Sequence, residues 1–223
     1  MHWLECSDME SGKPKNRSNK VIVAVLIFST LVIIGLAASV PFYFETTTIW
    51  YKTGLDKTFL RFGQVAGMIA LCLILLQIII AVRGAYLESW CGVANLVRLH
   101  QVNGLLICLL ILVHALLILL PEGLNNLPIG RKYWPEMVGG VALVALLATT
   151  FFSYFREALK IGYQRWRFIH RPLGYLIALA VVIHVLFVSD VFASGVLRSL
   201  LVSAGGGVSL YVLVVKTLLF MKK

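Results

Sequence analysis

The sequence predicts an all-α integral membrane protein, a six-helix transmembrane bundle, on two observations. Hydrophobic residues make up 60% of the 223-residue chain and charged residues only 13%, with a mean hydropathy of +0.90. That is too apolar for a soluble domain of this size. The apolar residues also gather into long runs between short polar connections, as helices that cross a bilayer require.

Residues 1–20 read as a polar cytoplasmic tail and residues 21–221 as the bundle. The first run, Val21–Phe44, follows basic residues and contains Ala37, Ala38 and Ser39 near its end. A cleaved signal peptide is therefore an alternative, but the apolar stretch exceeds the usual h-region of about 7–15 residues, so a retained helix is expected. The remaining runs are Phe62–Val82, Val102–Leu120, Met137–Phe155, Pro172–Ser189 and Ser199–Val215. Most reach the ~20 residues needed to span a bilayer. The fourth and sixth are the weakest, and Gly205, Gly206 and Gly207 lower the helix propensity of the sixth. Those three glycines read either as a close-packing surface or as a locally loosened helix.

Basic residues orient the bundle. With the N-terminus inside, fourteen Lys and Arg fall on the cytoplasmic side, while Lys52, Lys57, Arg61, Arg131, Lys132 and Arg198 make six outside. The positive-inside rule favours this arrangement, with both termini cytoplasmic; the membrane expected is the plasma (inner) membrane. The net charge of +10 is then mostly a topology signal, and no nucleic-acid binding is inferred from it.

One pattern, H-x3-G-x9-H, occurs twice, 70 residues apart: His100, Gly104 and His114, then His170, Gly174 and His184. Fourteen helical residues rise ~21 Å and return to within ~40° of the starting direction, so each pair shares one helix face at two depths. The third and fifth spans run in the same direction, which sets His100 level with His170 at the cytoplasmic mouth and His114 level with His184 further out. Two stacked bis-histidine sites follow. Iron porphyrin is the ligand best matched to them, because a flat macrocycle takes one neutral imidazole from each side. Gly104 and Gly174 lie one turn beyond the first histidine, where a missing Cβ lets a porphyrin edge or another backbone come close. Four orphaned imidazoles at matched depths would otherwise cost roughly 2–7 kcal/mol each. Metal or proton transport is the non-redox alternative, although the spans contain no central Asp or Glu.

Propionates of such haems would seek basic residues near each layer. Arg61 and Arg171, each abutting a span, are the best candidates, with a plain topology anchor as the competing role. Trp90, Trp134 and Trp166 are explained by interfacial aromatic belts. Cys6, Cys72, Cys91 and Cys108 form no C-x-x-C-H signal, so haem b would be held non-covalently. There is no G-x-G-x-x-G after a strand and no P-loop. Electrons are thus expected from a separate cytosolic flavoprotein carrying FAD or FMN, or from a membrane quinol, and the basic 156–171 loop could dock an acidic donor.

RLHQVNGLLICLLILVHALLILLP and RFIHRPLGYLIALAVVIHVLFVSD resemble the histidine helices of the ferric reductase and NADPH oxidase transmembrane superfamily. The resemblance spans about Val21 to Val215. It implies a di-haem b-type cytochrome in which His100 and His170 hold the inner haem and His114 and His184 the outer. Electrons would pass from a cytoplasmic donor to ferric iron, oxygen or a periplasmic reductase outside. Self-sufficient members continue into flavin- and nicotinamide-binding domains. This sequence instead resembles the stand-alone bacterial layout, including the haem subunit of a periplasmic methionine sulfoxide reductase. A quinol-linked cytochrome b, which also carries two histidine pairs on parallel helices, is the redox alternative.

Overall fold

The computed structural model describes residues 17–121, 123 and 127–221. Residues 1–16 of the expected tail, with His2 and Cys6, lie outside the described residues, as do Lys222 and Lys223. In chain order the helices are α1 (Arg17–Tyr43), α2 (Thr47–Trp50), α3 (Gly54–Val82), α4 (Ala85–Cys91), α5 (Val93–Leu119), α6 (Trp134–Tyr154), α7 (Tyr163–Val188) and α8 (Gly195–Met221). Short 3-10 turns at Arg131–Tyr133 and Asp190–Phe192 precede α6 and α8. Six of the helices, α1, α3, α5, α6, α7 and α8, are long and apolar enough to cross a membrane. The chain is a multi-pass membrane protein.

The helices extend beyond the apolar runs at their polar ends. Arg17 to Lys20 belong to α1 rather than to a tail; α3 begins at Gly54 rather than Phe62, α5 at Val93 rather than Val102, and α7 at Tyr163 rather than Pro172. Hydropathy registers only the lipid-facing stretch, whereas backbone hydrogen bonding continues through charged interfacial residues. As a result His100 and His170 sit inside their helices and are held by regular backbone. Pro41 and Pro172 are both accommodated within helices, as membrane helices allow. α8 passes unbroken through its three glycines, and only Gly205 has a neighbour, Val182 of α7, within ordinary contact of an added Cβ.

α3 is the hub. It packs most extensively on α5 and also meets α1, α7 and α8, while α7 packs chiefly on α6. The main core joins Leu73, Ile74 and Ile78 of α3 to Ile107 of α5, Leu146 of α6 and Ile177 and Ala178 of α7. α5 and α7 hardly approach each other's backbone. The four-helix centre is therefore two tight pairs, α3 with α5 and α6 with α7, and the histidine-bearing helices face each other across the seam.

Candidate functional site

The four histidines meet in two layers across that seam. The rings of His100 and His170 lie 6.1 Å apart between centroids and 75° apart in plane. Two imidazoles binding one metal ion from opposite sides at ~2 Å would have centroids about 6 Å apart. His114 and His184 form the second layer, close enough to interact electrostatically. Because first pairs with first and second with second, α5 and α7 run in the same direction, with ~21 Å of helix between layers.

Hydrogen bonds define which nitrogen of each ring is available. Nδ1 of His114 is 2.8 Å from the Gly63 carbonyl, and Nδ1 of His184 is 2.8 Å from the Pro135 carbonyl. A carbonyl only accepts, so each Nδ1 carries the proton and each Nε2 keeps its lone pair. In the first layer, the Ser153 hydroxyl donates to the Thr149 carbonyl at 2.6 Å and accepts from Trp166 Nε1 at 3.1 Å. Its proton being committed, it accepts from His170 Nδ1 at 3.3 Å. Three histidines thus have the outer hydrogen bond that metal-binding imidazoles characteristically make. Nδ1 of His100 is buried without a partner among the described residues. The backbone of His100 is nonetheless tied to α3, since its carbonyl accepts from Gln77 Nε2 at 2.8 Å.

The expected orphaned imidazoles are thus largely satisfied on one side, and Nε2 is the atom left for a ligand. Trp166 is more than a belt residue: it stacks on His170 with centroids 4.6 Å apart and planes at 21°. Gly104 admits the Gln77 side chain, 3.2 Å from where a Cβ would stand, whereas Gly174 faces open space.

Arg61 is paired with Glu45, which also receives Lys57, and its guanidinium lies over the Phe42 ring at 5.5 Å. Arg171 is exposed beside His170. Arg83, which ends α3 with φ 51°, is within electrostatic reach of His100. The sequence reading missed Arg83 as a neighbour of the first layer, along with Ser153 and Gln77. No spacing signal links these residues to the histidines, because the contacts are made between helices.

Among the described residues no three His, Cys, Asp or Glu side chains converge as a metal cluster would require. The site offers opposed pairs, the donor set suited to a flat ligand between two imidazoles.

A helical multi-pass membrane protein with two opposed histidine pairs on parallel helices is the class that fold and site define. Residues 66–181, just over half of the chain, match the family described as ferric reductase like transmembrane component. The chain belongs to that family, whose membership points to transmembrane electron transfer. The match takes in His100, His114 and His170 and ends just before His184, which the fold itself brings within electrostatic reach of His114. No curated protein and no solved structure matches the chain.

Proposed function

We propose that this chain is the membrane electron-transfer subunit of an oxidoreductase and holds two b-type haems non-covalently, one between His100 and His170 and one between His114 and His184. The observation that carries the reading is the facing of α5 and α7 through their imidazoles, with rings 6.1 Å apart in the first layer. When bound, two haems supply one-electron carriers at two depths in the bilayer.

The residues supply position and environment. Carbonyl and hydroxyl partners set the tautomers of His114, His184 and His170, so that Nε2 is presented as a neutral base without a proton to shed. The surrounding Leu, Ile and Val side chains exclude water between the layers. Arg83 and Arg171 place positive charge at the first layer, and Arg61, which pairs with Glu45, is the candidate cation for an anionic side arm in the second layer.

Electrons enter at the first layer. The turn before α7 and the first turns of α7 bring Arg156, Lys160, Arg165 and Arg167 to the same end of the molecule as His170, a surface suited to an acidic cytoplasmic flavoprotein. They leave toward an acceptor on the opposite side.

The test is spectroscopic. Purified protein in mild detergent, compared oxidised and dithionite-reduced and assayed by pyridine haemochrome, should show two b-type haems per chain. His114→Leu or His184→Leu should leave one, as should His100→Leu or His170→Leu. Haem-free protein after expression with ample haem supply overturns the reading, and retention of both haems in the leucine variants overturns the ligand assignment.

A further inference from the structure

Each histidine of the second layer rests in a notch of the same construction on a different helix. His114 reaches the carbonyl of Gly63 on α3 and lies against Gly67, one turn later; His184 reaches the carbonyl of Pro135 on α6 and lies against Gly139, again one turn later. A Cβ at Gly67 would stand 2.8 Å from Nδ1 and 2.9 Å from Cε1 of His114. At Gly139 it would stand 2.6 Å from both Cε1 and Nδ1 of His184. Real Cβ atoms do not approach ring atoms so closely, so a side chain at either position requires the ring or the helix beneath it to shift, which disturbs the imidazole's contact with its carbonyl.

From this geometry we infer that Gly67 and Gly139 are positioning residues for the second histidine layer: each, with the carbonyl one turn before it, forms a seat that holds an imidazole edge and fixes its Nδ1–H tautomer. The Gly63 and Pro135 carbonyls are in the path of their own helix hydrogen bonds, and a carbonyl oxygen has a second lone pair for the histidine. Reaching that lone pair from a neighbouring helix needs the close approach that a missing side chain one turn on permits. In the first layer, His170 uses the Ser153 hydroxyl and His100 Nδ1 has no partner among the described residues. Backbone seating is thus confined to the second layer. What the seated Nε2 holds rests on the haem reading above; the seats themselves rest on the contacts of α3 with α5 and α6 with α7.

Gly140 supplies the control, because it adjoins Gly139 on the same helix and an added Cβ there meets nothing within 4 Å. Gly67→Ala and Gly139→Ala should each weaken retention of the second haem by roughly 10–100-fold, the effect typical of losing an outer-shell partner. The haemochrome ratio should fall from two to one and the first-layer haem should keep its redox potential, while Gly140→Ala keeps both haems. Two haems with unchanged potentials in Gly67→Ala and Gly139→Ala would overturn the inference. The unsubstituted full chain gives an independent reading through 15N-histidine NMR in the diamagnetic reduced state. It should show exchange-protected Nδ1–H signals for His114 and His184, and their absence also overturns the inference, including where an alanine variant fails to fold. If the purified chain carries no haem, the functional reading falls while the same Nδ1–H signals still decide the seats.

Discussion

Asn103 and Thr46 are the buried polar side chains among the described residues, and Asn103 shows how the first layer is braced. Its Nδ2 donates to the Leu73 carbonyl at 3.0 Å and to Gln77 Oε1 at 2.7 Å, and Gln77 passes the connection on to the His100 carbonyl. Removing one member of such a network strands its partner in an apolar setting, at about 1–3 kcal/mol, whereas removing both partners together can be close to neutral. Asn103→Leu should therefore lower the thermal unfolding midpoint in detergent, and adding Gln77→Leu should restore part of the loss. A loss in the double variant equal to the sum of the two single losses would show that the two amides act separately. Neither amide stood out in the sequence, because an isolated Asn or Gln in an apolar run has no periodic partner to announce it. The four histidines did, because their spacing repeats.

At the scale of the element, the six spans were legible and their starts were not. Hydrophobic runs locate the part of a helix that meets lipid; they are silent about the charged turns on α5 and α7 that carry Arg98, Arg165 and Arg167 as regular helix. α4 escaped notice for a different reason, being a single short segment, Ala85–Cys91, without a run long enough to register. The glycines of α8 separate the two readings open to them. Gly206 and Gly207 have open space around an added Cβ and lie within continuous helix, so their only local effect is on backbone propensity. Replacing each by Ala should stabilise the protein by up to about 1 kcal/mol, seen as a higher midpoint in the same detergent melt; a loss of stability would reveal close packing at that face. Gly67 and Gly139 gave no comparable sign in sequence, since their meaning depends on which rings α5 and α7 bring to them.

For the whole molecule, the sequence carried the fold class and the pairing of histidine layers, and the doubled pattern was sufficient because parity of spans makes α5 and α7 parallel. Sidedness is argued from charge alone and can be tested directly. With the native cysteines replaced, Lys160→Cys in the turn before α7 and Lys132→Cys in the turn before α6 lie at opposite ends of α6. In intact cells a membrane-impermeant maleimide should label Lys132→Cys, and Lys160→Cys only after permeabilisation. The reverse pattern would invert the direction assigned to electron flow.

The seam between α5 and α7 also bears on how the protein is made. The chain up to Pro121 contains His100 and His114 together with Gln77, Gly63 and Gly67, which brace them. The chain from Leu127 onward contains His170 and His184 with Ser153, Pro135 and Gly139. Each half leaves the ribosome with its histidines and their supports encoded together, so orientation of the rings is a local matter within each half. For biogenesis, the decisive event is then the lateral meeting of two prepared halves in the bilayer, at which four separate imidazoles first become two pairs.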